Sequence, residues 1–264
     1  QLSPATLTFT PASWNIPQTV VARAPDDALA QGDRAASIQH RAISADSSYS
    51  GALLAPVAVS IRDNDGPSPT ITVDTSADTL AADGACSLRE AIEAANTNAS
   101  VFDCAANPAS YHVIELSAAG PYNLSRQNDP AFPFDAALTV TSALIVNGHG
   151  AVIRNGTTTD SNLSRLFMVK APGDLTLRDL TLRDGRANNA GALWVFAGAS
   201  ANLVRVTVTN NTAVGDTYGG GIINQGALNI ADSTIANNTA SGNNALNQLG
   251  GGGILNEGEL NLFA

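Results

Sequence analysis

The chain is poor in charge, sulfur and aromatic rings: 14% of its 264 residues are charged, 5% are aromatic, and it holds two cysteines, one methionine and three histidines. No apolar run approaches the roughly 20 residues that a membrane-spanning helix requires. Two cysteines cannot staple a disulfide-rich miniature scaffold, so the fold has to rest on a buried core, which a chain of this length can supply. The shortage of basic groups leaves a formal net charge of −10. A field of that sign repels phosphate backbones and anionic lipid surfaces, and nucleic acid is not expected as a partner. Lysine occurs once, at Lys170, against twelve arginines, and alanine is abundant, a bias that suggests a bacterial genome rich in GC.

What fills the chain instead is Gly, Asn, Thr, Ala and aliphatic residues, the composition of many short strands joined by tight turns. Over residues 1 to 65 the runs ATLTFTPASW, TVVARAPDD, AASIQHRAIS and APVAVSIRDND alternate apolar and polar positions between Pro, Gly and Asp turns. Period-2 alternation of this kind predicts half-buried strands, here part of a β-sandwich. GPSPT, residues 66 to 70, cannot continue a central strand and marks a linker. A second region follows over 71 to 137, and from residue 138 an internal repeat sets in. TNNTA at 209 to 213 returns as ANNTA at 236 to 240, and GGI at 220 to 222 returns at 252 to 254. The unit reads GGGIxNxGxLNI followed by STIANNTA.

Such a unit predicts one coil of a right-handed parallel β-helix, with three short strands per turn. Leu175, Leu177, Leu180, Leu182, Leu193, Val206, Val208, Ile222, Leu228, Ile230, Ile235, Ile254 and Leu260 take the inward positions. The final LNLFA stops within a coil, so further coils are expected beyond it. The expected fold class is therefore all-β: a partial sandwich, then a β-helix, with one helix between them.

That helix is CSLREAIEAAN, residues 86 to 96. Ser87 and Glu90 have the spacing of a capping box, and Leu88, Ala91, Ile92 and Ala95 share one face. Arg89 and Glu93 stand i,i+4 on the other face. At about three turns the helix is marginal alone and needs a surface to pack on. The open end of a β-helix exposes apolar core and unpaired strand edges, so the helix is expected to act as its N-terminal cap. Cys86 and Cys104 flank this segment, and a disulfide between them would contribute roughly 3 kcal/mol by loop entropy. The competing possibility is a thiolate activated at the helix N-terminus, for which His112 is the available imidazole.

Three resemblances follow from these stretches. LTFTP, Trp14, PQTV, the acidic loop DDALAQGD and the closing DND resemble the bacterial surface variety of the Calx-β domain, without that family's opening strand. ITVDTSADTLAADGACSLREAIEAANTN resembles the CSLREA domain of secreted bacterial proteins. The coil repeats resemble those of polymorphic outer-membrane and adhesin-like β-helices. The Calx-β resemblance implies calcium held by Asp26, Asp27, Asp63 and Asp65, since converging carboxylates suit a hard cation. Gln31 stands where that family has an acid, and the same acids also read as polar turns.

Together the resemblances imply a secreted or cell-surface structural or adhesive protein with glycans or cell-surface components as partners. No catalytic residues and no organic cofactor are expected. The alternative is a carbohydrate-active β-helix enzyme, a lyase or hydrolase, for which Arg178-Asp179 and Arg183-Asp184 are the candidates. Their place at successive corners favours surface ion pairs instead. Asp184, Asn210 and Asn237 align between repeats and are expected to stack as a hydrogen-bonded ladder. His40, His112 and His149 lack metal-ligand spacing. Trp14 and Trp194 are expected in the core or wall, with Trp194 also a possible sugar platform.

Overall fold

The computed structural model describes residues 1–24, 34–52, 55–61, 70–117, 120–125, 137–156, 164–214, 219–241 and 251–263. The chain divides into two compact units, Gln1–Ser68 and Pro69–Ala264.

In the first unit β1 (Leu2–Ser3) pairs antiparallel with β2 (Val21–Ala22), and β3 (Arg34–Ile38) pairs antiparallel with β4 (Val57–Ile61). A sandwich would bury alternate side chains between two packed sheets. The described residues carry the two ladders, but none of residues 1–24, 36–52 and 55–61 is buried. Trp14, expected in a core or wall, is 71% exposed.

The second unit begins with β5 (Thr70–Val73), α1 (Leu88–Thr97), β6 (His112–Leu116) and β7 (Tyr122–Leu124). A parallel β-solenoid of about four turns then follows in regular order. The first turn holds β8 (Leu138–Val140) and β9 (Ala143–Asn155). The second holds β10 (Phe167–Val169), β11 (Asp174–Arg183) and β12 (Arg186–Ala187). The third holds β13 (Leu193–Val195), β14 (Ser200–Thr209) and β15 (Thr212–Ala213). The fourth holds β16 (Ile222–Asn224), β17 (Ala227–Ala231), β18 (Thr234–Ala236) and β19 (Thr239–Ala240), and β20 (Ile254–Asn256) and β21 (Glu259–Phe263) come after it.

Equivalent strands of successive turns stack in parallel. One sheet runs β8-β10-β13-β16-β20, a second runs β5-β6-β9-β11-β14-β17-β21, and a third joins β12, β15 and β19. The parallel stacking thus includes β5 and β6, which precede the recognisable repeat.

Sequence period explains where each side chain goes. In β11 Leu175 and Leu177 face inward, then the inward position slips by one residue to Leu180 and Leu182. The slip is the corner: Asp179 adopts a left-handed φ of 52°, which turns the chain without ending the strand pairing. Inside, like residues stack turn upon turn, with Leu144, Leu175, Ala201, Leu228 and Leu260 in one register row. Of the expected inward residues, Ile235, Ile254 and Leu260 are partly buried and the others are buried. No described helix is long and apolar enough to cross a membrane.

Candidate functional site

The helix is built as its sequence requires. Ser87 Oγ accepts from the Glu90 backbone N–H at 3.2 Å, and Glu90 Oε2 accepts from the Ser87 N–H at 2.9 Å, closing the capping box. Glu90 Oε1 also accepts from the Ala81 N–H at 2.7 Å, so this buried carboxylate is fully engaged. Leu88, Ala91, Ile92 and Ala95 are buried on one face. Arg89 does not pair with Glu93: its Nε and Nη2 donate to Asp78 at 2.6 and 3.0 Å. The Asp78 side chain is only 2% exposed, and a sheltered bidentate pair outcompetes an exposed i,i+4 contact.

Asn96 reaches from α1 to β8, donating to the Thr139 carbonyl at 2.7 Å and accepting from the Thr141 N–H at 2.9 Å. Since β8 is the terminal strand of its sheet, Asn96 occupies an edge that would otherwise carry unpaired backbone groups. Cys86 and Cys104 are disulfide-bonded with Cα atoms 4.8 Å apart. The thiolate alternative is thereby excluded, and the buried His112 instead bonds the Asn107 carbonyl at 3.0 Å.

Polar side chains outside the helix are organised by the corners. His149, Asp179, Arg205 and Asp232 all have φ between 47° and 53°, and the strand register sets them on successive turns. Cβ-bearing residues rarely take this conformation, so its repetition shows that stacking fixes the corner geometry. Asp179 takes its side-chain hydrogen bonds from the next turn and not from its neighbour Arg178. Both of its oxygens accept from Arg205 on the next turn, from Nε at 2.6 Å and Nη2 at 2.8 Å. That bond, aided by the charges of Arg205, His149 and Arg178, holds the Asp179 carboxyl below its ordinary value. Arg183 and Asp184 do lie together, at 3.4 Å.

The first corner departs from the rest. Asn147 is level with Arg178 and Ala151 with Leu180, so Gly148, His149 and Gly150 stand opposite Asp179 alone. This bulge carries His149 outward to meet Glu115, with Nε2 to Oε2 at 2.6 Å, while Asn147 Nδ2 donates to Glu115 Oε1 at 2.7 Å. His149, Gly150, Asp179, Leu180, Thr181, Arg205 and Thr207 line an open depression of about 480 Å³. The sequence offers His149 only as a residue without metal-ligand spacing, and its place at a corner beside Glu115 is new. The available signal was the extra Gly-His-Gly, which breaks the coil period at a corner.

At the opposite corner the expected ladder is displaced by one residue. Asp184, Asn210 and Asn237 align but are the left-handed turn residues, with φ of 54° to 59°. The hydrogen-bonded pair is Asn211 and Asn238: Asn211 Nδ2 donates to Asn238 Oδ1 at 2.9 Å, and the Gly185 N–H donates to Asn211 Oδ1 at 2.9 Å. A second column runs across β11, β14, β17 and β21 on the outer face, where Asn261 donates to Asn229 at 3.0 Å, Asn229 to Asn202 at 2.8 Å, and Asn202 to Thr176 at 3.2 Å.

Trp194 is a wall residue. Phe196 stacks on it at 4.4 Å and the Arg165 guanidinium lies over its ring at 4.7 Å. Both partners take ring surface that a sugar would otherwise stack on. Asp26, Asp27, Asp63 and Asp65, the expected calcium ligands, lie outside the described residues, as does Gln31. Among the described residues no group of three or more His, Cys, Asp or Glu side chains is placed to hold a metal ion. Comparison of the chain with protein-family models, with curated proteins and with solved structures returned no match.

Proposed function

We propose that this chain is a structural and adhesive segment of a secreted or surface-exposed bacterial protein, with α1 as the end cap of its solenoid. One observation carries the structural part: polar side chains outside the core are bonded from turn to turn. Asn202, Asn229 and Asn261 form one column, Arg205 and Asp179 another, and Gln225 donates to Glu257 at 2.9 Å in a third. Groups committed to holding neighbouring turns together serve a rod better than they serve bond-breaking chemistry, which needs an acid or base free to exchange a proton. The cap is supported by Asn96 on the β8 edge and by the contacts of α1 with β5, β6, β8 and β9. Secretion is supported by the disulfide, which persists in oxidising compartments, and by the CSLREA and adhesin-like resemblances.

A carbohydrate-active enzyme is the second reading, and the His149–Glu115 hydrogen bond beside Asp179 and Arg205 is what favours it. Beads coated with the chain test the first reading by their adherence to cells and glycan-coated surfaces. Incubation with pectins, alginates and glycosaminoglycans, followed by unsaturated-uronate absorbance and reducing ends, tests the second. Adhesion without turnover is expected; turnover abolished by His149→Ala would transfer the assignment to an enzyme.

A further inference from the structure

The depression at the first corner is a place where the repeat is broken for no reason the core supplies. A regular corner needs one left-handed residue, as at Asp179 and Arg205, yet β9 uses three residues to make the same turn. Gly148 presses against the backbone of Asp179 and the side chain of Leu180. Gly150, at φ 86°, does the opposite: a side chain there would meet nothing within 4 Å. The bulge therefore makes room, and bulges of this kind commonly re-aim side chains at functional sites.

Polar groups from three successive turns surround that room. His149 comes from the first, Asp179 and Thr181 from the second, Arg205 and Thr207 from the third. Their polar groups are already matched along the axis: Glu115 is engaged by His149 and Asn147, Asp179 is bound to Arg205, and Asp232 acts on Arg205 from the following turn. An ionic ligand gains little from such a compensated row, because each charge it met would be shadowed by its opposite. A ligand carrying hydroxyl groups, each both donor and acceptor, can use all of it. Arg205 has N–H groups beyond the two given to Asp179, and two threonines, Thr181 and Thr207, are among the lining residues.

We infer that this corner binds one ring of a neutral saccharide through its vicinal hydroxyls. The inference deepens the adhesive reading by giving it a contact site, and it rests on that reading for its biological setting only. The depression is open and lined without an aromatic platform, so a single ring should bind with a dissociation constant of about 1 mM.

The test titrates the isotope-labelled 264-residue chain with methyl α-mannopyranoside, methyl β-galactopyranoside and methyl β-glucopyranoside, with galacturonate as the anionic comparison. Saturable amide shifts centred on His149, Gly150, Thr181 and Thr207 are expected with at least one neutral glycoside. His149→Ala and Arg205→Ala should each weaken it by about tenfold, the value of a lost charge-assisted or well-placed hydrogen bond. Thr207→Val removes a hydroxyl while keeping the branched shape, and it should weaken binding even if Arg205→Ala disturbs the corner. Asn210→Gly, on the opposite corner, should leave binding unchanged.

Three results would overturn the inference: no saturable shift with any neutral glycoside, shifts that map elsewhere, or tighter binding of galacturonate than of every neutral ring. If the glycosides fail while coated beads still adhere to cells, this site falls and the adhesive reading stands. Saturation here by a chain that adheres to nothing upholds the site and removes adhesion.

Discussion

Replacing Asn211 by alanine should be among the most damaging single changes to the solenoid, although no apolar contact is lost. The residue is fully buried, and its side-chain amide serves three turns. Nδ2 donates to the carbonyls of Leu182 at 3.2 Å and Thr209 at 3.0 Å as well as to Asn238, while Oδ1 receives the Gly185 N–H. Alanine leaves the Gly185 donor without that acceptor and withdraws a donor from two carbonyls. A buried group left unpaired costs about 1 to 3 kcal/mol, so the total should be about 3 to 4 kcal/mol. Asn211→Asp should do no better, because a carboxylate can accept from Gly185 but cannot donate to Leu182 or Thr209.

The neighbouring Asn210 supplies the control. It is exposed and its role is conformational, at φ 55°, so Asn210→Gly should be nearly neutral and Asn210→Ala should cost about 1 kcal/mol. Urea denaturation gives the global effect, and hydrogen exchange at the Gly185 amide gives the local one. The reasoning is refuted if Asn210→Ala costs as much as Asn211→Ala, or if Gly185 keeps its protection in the Asn211 variant.

Three further outcomes are expected. Arg89→Ala should destabilise by about 3 kcal/mol, because it leaves the sheltered Asp78 carboxylate without its guanidinium, whereas Glu93→Ala should stay within about 0.5 kcal/mol; equal melting shifts would show the i,i+4 pair to matter after all. Ile92→Asp should detach α1 and promote association, since burying an unpaired carboxylate costs several kcal/mol; unchanged light scattering and melting would show that the helix is no plug. A carboxyl titration followed by NMR should place Asp179 below the ordinary value of 3.8, and Arg205→Ala should raise it toward that value. Because the folded value is the depressed one, the pair's contribution is complete above about pH 4 and is lost as pH falls through the Asp179 titration, with no loss on the alkaline side.

Much of the second unit was readable because it rests on period. Leu175, Leu177, Leu180 and Leu182 announce two inward runs and a corner, and Ser87 with Glu90 announces a helix start. Period says which residues align, but not which of them turns the chain. Asn210 and Asn211 align equally well with Asn237 and Asn238, and only the backbone angle separates the left-handed turn residue from the buried amide beside it. Arg89 illustrates a second limit: on the helix its nearest opposite charge is Glu93, yet the loop before the helix brings Asp78 into a drier, two-pronged contact that no spacing rule encodes. His149 illustrates a third. It sits in the coil least like the consensus, where an insertion reads as noise until Glu115 is found one strand away. In the first unit alternation predicted four strands; three of the runs carry β2, β3 and β4, but ATLTFTPASW forms none, because alternation without a surface to pack on does not hold a strand, and Trp14 at its end lies exposed.

The bond between Cys86 and Cys104 also has a mechanical side. Seventeen residues lie between the two sulfurs, and a covalent tie keeps them off the load-bearing path when the chain is pulled from its ends. At the extended limit of roughly 3.5 Å per residue, about 60 Å of contour stays hidden under tension. The hidden segment contains all of α1, so the turns can be peeled apart under load without the helix itself being drawn out. When tension is released, the segment is still confined to its short closed loop, so the helix and the first turn can re-form against each other without a long search.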